Sequence, residues 1–530
     1  MIPYGKQTID EEDIKEVLDT LRSEFLTTGP KIAEFEQKVC DFVGCKYAVA
    51  VSSGTAALHL ACLASGLKKD EELITTPITF AASANCALYC NAKPVFVDIN
   101  EQGLIDEDKV EEKITKKTKI IIPVHYTGLP CDLEKIKKIT DKYNLVLIED
   151  ACHALGAKYK DSKIGDCKYS DMTIFSFHPV KHITTGEGGM ITTNSKEVYE
   201  KLKSLRNHGI INNSEKFINK NSEPGHYEMQ FLGYNYRITD FQCALGISQL
   251  NKINEFINKR RQIAEKYDKA FENNENIEII KENQNQFNSY HLYVIKLKDK
   301  ETRLKLFNFL KKQDILCQVH YIPVYLHPYY QKLGYQKGIC SIAEEFYKKV
   351  ISLPMYSQLT ESEQDYVIEK INEFFQGDET QILFRNARIE DCLDLFGWRN
   401  DIITRQNSFN TELISFETHK HWFENCLKDS TRDLFILFDK DKGIGTIRFD
   451  YKEDKNCAEI NITIAPEARN KRYSSKAIRT LSLYYLDNYN LNYIFAEIKP
   501  QNIISMKSFI KAGYKFYKEF PDKIEYRFTK

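Results

Sequence analysis

Apolar positions along the chain follow two rhythms. Between residues 45 and 195, short aliphatic runs alternate with stretches in which apolar residues recur every three or four positions. The runs Tyr47–Val51, 94–97, 120–124 and 145–148 are apolar or β-branched almost throughout, as strands buried on both faces require. The stretch from Gly54 through Leu63, and that over 135–143, keep helical spacing. This order predicts an α/β fold, a mostly parallel sheet with helices on both faces.

Residues 238–273 read as one long helix. Shorter strands at 292–297 and 316–320 then mix with helices at 304–311 and 363–375, which predicts a smaller α+β part. Gln376-Gly377-Asp378-Glu379 is a polar, Gly-containing break. The expected organisation is therefore a first unit over 1–376, with a large part to about 240 and a small part from about 241. A linker at 377–381 and a second unit over 382–530 follow. In that second unit, runs at 434–438 and 443–449 flank Asp439-Lys440-Asp441-Lys442 and read as a hairpin. A strand at 459–464, a basic loop with a helix, a strand over Tyr493–Ile498 and a helix at 503–511 complete it.

Composition narrows the function without choosing it. The chain has 530 residues, 42 % hydrophobic and 28 % charged, which suits a globular protein of several units. A net charge of −1 gives no reason to expect nucleic acid or an anionic membrane surface as a partner. No apolar run reaches 18 residues, and Met1-Ile2-Pro3-Tyr4-Gly5-Lys6 lacks the plan of a signal peptide. The 14 cysteines are scattered with no CxxC pair, so free thiols in a reducing cytoplasm are expected rather than a disulfide framework or a metal site.

Three features of the βα region carry candidate chemistry. Ser52-Ser53-Gly54-Thr55 lies at a strand-to-helix turn, where free N–H groups and hydroxyls suit either a phosphate or an ordinary helix cap. Ile148-Glu149-Asp150-Ala151-Cys152-His153 ends a buried strand in carboxylates, which could hold a protonated ring nitrogen or simply face solvent. In Ser176-Phe177-His178-Pro179-Val180-Lys181-His182, followed by Thr184-Thr185-Gly186-Glu187-Gly188-Gly189, a strand runs into a lysine and then a Gly-rich turn. A lysine between apolar strands can be desolvated and become nucleophilic.

On these motifs, residues 1 to about 376 resemble the fold-type I aminotransferases acting on nucleotide-linked keto sugars, the DegT/DnrJ/EryC1/StrS family. Ile2-Pro3-Tyr4-Gly5, Phe25-Leu26-Thr27-Thr28-Gly29-Pro30 and Val319-His320-Tyr321-Ile322-Pro323-Val324 are similar to its subgroup in pseudaminic acid biosynthesis. The resemblance implies pyridoxal 5′-phosphate as cofactor, with Lys181 as Schiff-base lysine and proton shuttle. It implies Asp150 on the pyridinium nitrogen, Phe80 on the ring face with His153 near it, and Ser53, Gly54, Thr55 and Ser176 at the phosphate. Asn235 would reach the phosphate of a neighbouring subunit, which implies a homodimer with shared sites. Tyr4, Thr27, His320 and Tyr321 would line the pocket for a UDP-sugar, with L-glutamate as amino donor. Related sugar 3-dehydratases carry His at the Schiff-base position, so Lys181 points to transamination. Other nucleotide sugars, such as legionaminic, bacillosamine or dTDP-linked substrates, would use the same chemistry, and a non-catalytic scaffold also stays open.

Residues 382–530 resemble the GNAT N-acetyltransferases. Arg469, Asn470, Lys471, Arg472, Tyr473 and Ser474 run into a helix start, and with Asn502 they are the implied acetyl-CoA contacts. The family's frequent Tyr acid falls at Phe509, which leaves Tyr514 as the candidate acid and Glu459 as the candidate base. A sugar amine made by the first unit is the expected acetyl acceptor, and an inactive docking module is the alternative.

Overall fold

The protein is described here by a computed structural model covering residues 1–530 except 220–222, 224, 378–381, 470, 472 and 530. Most of the expected linker, and Asn470 and Arg472, therefore lie outside the described residues. The chain divides into two units, Met1–Phe375 and Gln376–Lys530. No helix among the described residues is long and apolar enough to cross a membrane.

The first unit is built on a seven-stranded sheet. Its strands are β1 (Tyr47–Val51), β2 (Glu72–Thr75), β3 (Lys93–Phe96), β4 (Thr118–Ile122), β5 (Val146–Asp150), β6 (Met172–Ser176) and β7 (Gly189–Thr193). Their spatial order is β1-β7-β6-β5-β4-β2-β3. β7 runs antiparallel to β1 and β6, while β6, β5, β4, β2 and β3 pair in parallel. Ile120, Ile121, Ile122, Leu147 and Ile148 are each fully buried, which is why these runs are apolar without alternation. Each such side chain contributes about 1.5–3 kcal/mol on removal from water.

The helices that cover the sheet follow their sequence signals. Leu133–Tyr143 starts at Asp132, whose side chain accepts from the Lys135 amide at 3.1 Å, and stops where Asn144 turns left-handed at φ 53°. It buries Leu133, Ile136, Ile139 and Thr140 on one face. Gly54–Ala64 is buried nearly all round, as its Ala-rich sequence allows.

Two expectations are corrected. The stretch 238–273 forms two helices, Asp240–Asn251 and Ile253–Phe271, rather than one. Lys252 lies between them as a turn at the edge of the helical region (φ −98°, ψ −1°), and its ammonium pairs with Asp10 and Asp13 at 2.5 and 2.9 Å. No Gly or Pro marks this break. The stretch 316–320 is not a strand. Ile315 bridges Ile2 and Gln318 bridges Ser352, single pairings that never become a ladder. The small part instead has a three-stranded antiparallel sheet of Ile277–Ile279, Tyr293–Leu297 and Val350–Leu353. It packs through Ile295, Leu297 and Leu353 on helix residues Tyr267, Phe271, Leu306 and Leu310.

The second unit is also a seven-stranded sheet. Its strands are β8 (Ile382–Asn386), β9 (Arg432–Asp439), β10 (Lys442–Lys452), β11 (Cys457–Ile464), β12 (Tyr493–Ile498), β13 (Lys515–Glu519) and β14 (Ile524–Phe528), in the order β8-β9-β10-β11-β12-β14-β13. The expected hairpin is β9–β10, which turns at Lys440 with φ 56°. Only β11 and β12 pair in parallel, and the helix Tyr473–Tyr489 crosses between them. They pair over Cys457, Ala458 and Glu459 alone and then part, which opens a notch in the sheet.

Candidate active site

In a parallel sheet the loops that leave the carboxyl ends of strands converge on one edge. Here they enclose a cavity of about 670 Å³ lined by the ends of β1, β5 and β6, the loop after β2 and the turn before β7. Ser53, Gly54, Thr55, Phe80, Asp150, His153, Ser176 and Lys181 all line it, together with Tyr4, His320 and Tyr321. Residues far apart in sequence are thus brought together as expected. Asn235 and Thr27 are not in this lining: Asn235 bridges Asn207, and Thr27 bridges Thr239.

Ser53 serves both readings offered for it. Its hydroxyl caps the helix Gly54–Ala64 by accepting from the Ala56 amide at 3.1 Å, while the first-turn N–H groups remain free of intrahelical partners. Two glycines make the corner tight. A Cβ on Gly54 would stand 3.0 Å from the Ser176 Cβ. A Cβ on Gly189 would stand 2.4 Å from the Ser53 carbonyl oxygen and 2.8 Å from the Gly54 nitrogen.

Asp150 is 4 % exposed and fixed by two donors. The Ser83 hydroxyl donates to Oδ2 at 2.6 Å and the Cys152 amide to Oδ1 at 3.1 Å. Ser83 is itself paired with Thr79 at 2.7 Å. Ser83 was not foreseen. The one available signal was a small polar residue on the buried face of Ala82–Tyr89, three positions after Phe80.

Lys181 is half-buried at the turn after β6, with Nζ 3.5 Å from Nε2 of His291, another residue not foreseen. Burial lowers the pKa of this amine; Asp150 and Cys152 oppose the shift and Arg260 adds to it. Four imidazoles surround it. Burial holds His153, His182 and His291 well below the usual histidine range and brings His320 down to about 3. His182 does not face the cavity. Its Nε2 meets the Ser289 carbonyl at 3.0 Å and therefore carries the proton, so its role is packing. His153 meets the Tyr321 hydroxyl through Nε2 at 3.2 Å, and its Nδ1 has no partner.

These residues fit pyridoxal phosphate. Phe80 is 63 % exposed although it lines the cavity, so its ring face lacks a protein partner. The free amides at Gly54 and Thr55 and the Ser176 hydroxyl suit a phosphate, and the buried Asp150 suits a ring nitrogen.

The second unit has its own cavity, of about 340 Å³, beneath helices Cys392–Asn400 and Phe416–Lys428. Trp398, Trp422, Leu395 and Leu434 form its apolar walls, and among the described residues no carboxylate lines it. Arg399 lines this cavity; its Nη2 donates to the Asn410 carbonyl at 2.9 Å, while its buried Nη1 has no partner among the described residues. His419 is 2 % exposed and also lines the cavity, and burial lowers its pKa. Asn461 and Thr463 of β11 line the cavity, and Glu459 shares their face of the strand just outside it. The Asn461 amide donates to Glu459 at 3.3 Å.

The other residues expected around acetyl-CoA are dispersed. Arg469 is held by Asp401 and Thr404, so its charge is already balanced. Lys471 is exposed, the Tyr473 hydroxyl donates to Asp439 at 2.6 Å, and Ser474 pairs with Ser508 at 3.1 Å. Asn502 caps Ile503–Ala512 by accepting from the Ser505 amide at 3.1 Å. Tyr514 is corrected: it does not reach the cavity but is 2 % exposed, packed on Phe509 and Phe528 and paired with Ser482 at 2.8 Å. Burial raises its pKa, and its hydroxyl is engaged with Ser482 rather than turned to the cavity.

Similarity to known proteins agrees with this arrangement. The profile of the DegT/DnrJ/EryC1/StrS aminotransferase family matches residues 7–372, and that of the acetyltransferase (GNAT) domain matches 381–515. The UDP-4-amino-4,6-dideoxy-N-acetyl-beta-L-altrosamine transaminase of Campylobacter jejuni is 41 % identical over 372 residues, which are 69 % of this chain and 96 % of that protein. GDP-perosamine synthase of Escherichia coli O157:H7 is 35 % identical over 71 % of this chain and 98 % of that protein. The structure of the Helicobacter pylori aminotransferase involved in pseudoaminic acid biosynthesis aligns with a TM-score of 0.66 at 35 % identity, over 71 % of this chain and 99 % of that one. The chain belongs to the DegT/DnrJ/EryC1/StrS aminotransferase family, and its second unit is a GNAT domain.

Proposed function

We propose that the first unit transfers an amino group from L-glutamate to C4 of a UDP-linked 4-keto-6-deoxy-N-acetylhexosamine, a reading supported by the Campylobacter jejuni relative named UDP-4-amino-4,6-dideoxy-N-acetyl-beta-L-altrosamine transaminase. The carrying observation is the convergence of Lys181, Asp150, Phe80 and the Ser53-Gly54-Thr55 corner on one cavity. Pyridoxal phosphate, when bound, supplies an electron sink next to the reacting carbon. Asp150, kept in place by Ser83 and the Cys152 amide, would hold its ring nitrogen. Gly54, Thr55 and Ser176 would hold its phosphate, and Phe80 would cover one ring face. Lys181 Nζ, whose pKa burial lowers, is the group in the cavity that would take and return a proton, and the two half-reactions require both directions. His320 and Tyr321, with the Tyr4 ring tilted against His320 at 5.7 Å, would form the side of the cavity that takes the sugar. Neutral His320 adds no positive charge there. Asn235 completing a second subunit's site in a homodimer belongs to the same reading, as does action in the cytoplasm, where free thiols persist.

The second unit, on this proposal, acetylates the new amine with acetyl-CoA. A cavity lined by Arg399 and His419 and, among the described residues, by no carboxylate favours the neutral amine that can attack a thioester. Glu459, on the same strand face, is the base in this reading.

Mass spectrometry of the full chain with UDP-keto sugars and glutamate, with and without acetyl-CoA, tests both steps. Amination of an L-configured 4-keto sugar, followed by a gain of one acetyl group, is expected. Amination of D-configured sugars alone would overturn the substrate, and an unchanged mass with acetyl-CoA would overturn the second step.

A further inference from the structure

Arg260 is the largest fully buried side chain among the described residues, and its charge acts on Lys181. It lies on the helix Ile253–Phe271 and is 2 % exposed. Buried cations normally carry a carboxylate partner. Among the described residues Arg260 has none. Its Nη1 instead donates to three backbone carbonyls, those of Tyr290 and Met355 at 3.1 Å and of His291 at 3.3 Å. Its Nε is buried without a partner. Desolvation lowers even this guanidinium to about 10, which still leaves it charged at neutral pH.

The clamped backbone is the one that carries His291. That imidazole is 4 % exposed, sits 4.3 Å from the ring of His153 and reaches Lys181 Nζ with Nε2 at 3.5 Å. Its Nδ1 has no partner, so Lys181 is its one hydrogen-bonding contact. Its three bonds tie the helix Ile253–Phe271 to Met355 and to the chain at Tyr290 and His291, and His291 carries the imidazole that meets the reactive lysine.

We propose that Arg260 is a positioning residue for Lys181: by holding the carbonyls of Tyr290 and His291 it sets the His291 imidazole against the lysine amine, with its own uncompensated charge acting on both. This rests on the reading of Lys181 as the reactive amine. Of the groups acting on that amine, Asp150 favours its protonation and Arg260 opposes it. The Cys152 thiol beside it is buried and kept protonated, and His153, His182, His291 and His320 are kept neutral. Arg260 thus opposes protonation of Lys181, while His291 gives its amine a hydrogen-bonding partner at 3.5 Å.

The test uses the full chain freed of cofactor. Lysines are labelled with acetic anhydride across pH, and the Lys181 peptide is quantified by mass spectrometry against exposed lysines of the same chain. In the wild type, Lys181 should label with a midpoint below theirs. In Arg260→Met the midpoint should move up, and labelling at pH 7 should fall about tenfold for each unit moved. Arg260→Lys keeps the charge, so the midpoint should stay low while reloading by pyridoxal phosphate slows. His291→Phe should slow reloading in the same way. A wild-type midpoint left unchanged by Arg260→Met, or reloading unchanged in both Arg260→Lys and His291→Phe, would overturn the proposal. If Arg260→Met does not fold, Arg260→Lys and His291→Phe still decide it. Failure of the underlying reading looks different: Lys181→Ala would then still acquire the cofactor's absorbance.

Discussion

Replacing Gly189 by alanine should damage cofactor binding through one atom. The added Cβ would stand 2.4 Å from the Ser53 carbonyl oxygen, 2.5 Å from its carbon and 2.8 Å from the Gly54 nitrogen, where ordinary contact begins near 3.4 Å. All three are backbone atoms, so no side chain can swing away. The start of β7 or the Ser53-Gly54 corner must shift by about 1 Å, at the cost of ~1–3 kcal/mol typical of an overfilled site. If the corner yields, the amides intended for the phosphate move and affinity should drop ~5- to 150-fold. If β7 yields, the same cost appears as lower stability of the cofactor-free protein. Titrating that protein with pyridoxal phosphate by absorbance, alongside its thermal melt, reads both outcomes. Gly186→Ala is the control. It has φ +78° but no atom within 4 Å of the new Cβ, so it should lose ~1–2 kcal/mol of stability with affinity unchanged. Unchanged affinity and unchanged melting in Gly189→Ala would refute the close-approach argument.

Ser83→Ala removes the 2.6 Å donor to the buried Asp150 carboxylate and should cost ~1.5–3 kcal/mol, read as weaker cofactor retention under dialysis; full retention would contradict it. His153, His182 and His291 stay neutral in the folded chain but take up protons below about pH 6.5 once unfolded. Stability of the cofactor-free protein should therefore be present above that pH and decline below it, by up to ~1.4 kcal/mol per pH unit for each imidazole. Denaturant midpoints between pH 7 and 5 test this, and a flat profile would count against it. Arg399→Met should raise the KM for the acetyl acceptor ~10- to 100-fold, since one charged donor is lost; an unchanged KM would remove Arg399 from acceptor binding.

What could be read from the chain alone was set by how local the cause was. β4 and β5 were visible because burial on both faces forces uninterrupted Ile and Leu. Lys181 stood out because its neighbours in sequence are also its neighbours in space. Ser83, Arg260 and His291 were not visible, because what distinguishes each is a contact made across more than 30 residues. The break at Lys252 escaped because apolar spacing continues through it and the ion pairs with Asp10 and Asp13 are remote. The stretch 316–320 has the composition of a strand, yet composition does not say whether a partner runs beside it for more than one residue. Tyr514 sits in the expected motif, but the packing of Phe509 and Phe528 turns its hydroxyl into the core.

The place of β7 in the sheet bears on how the protein acquires its site during synthesis. β1 lies at the sheet edge and pairs with β7 alone, across more than 130 residues of chain. A nascent chain ending at residue 185 would already contain Ser53, Thr55, Asp150, Ser176 and Lys181, yet β1 would have no neighbour to hold its end in place. Loop closure of that length is slow relative to local pairing. The cofactor should therefore be captured late, after residue 193 has left the ribosome, and truncation just short of it should yield chains that retain the reactive lysine but cannot hold a phosphate.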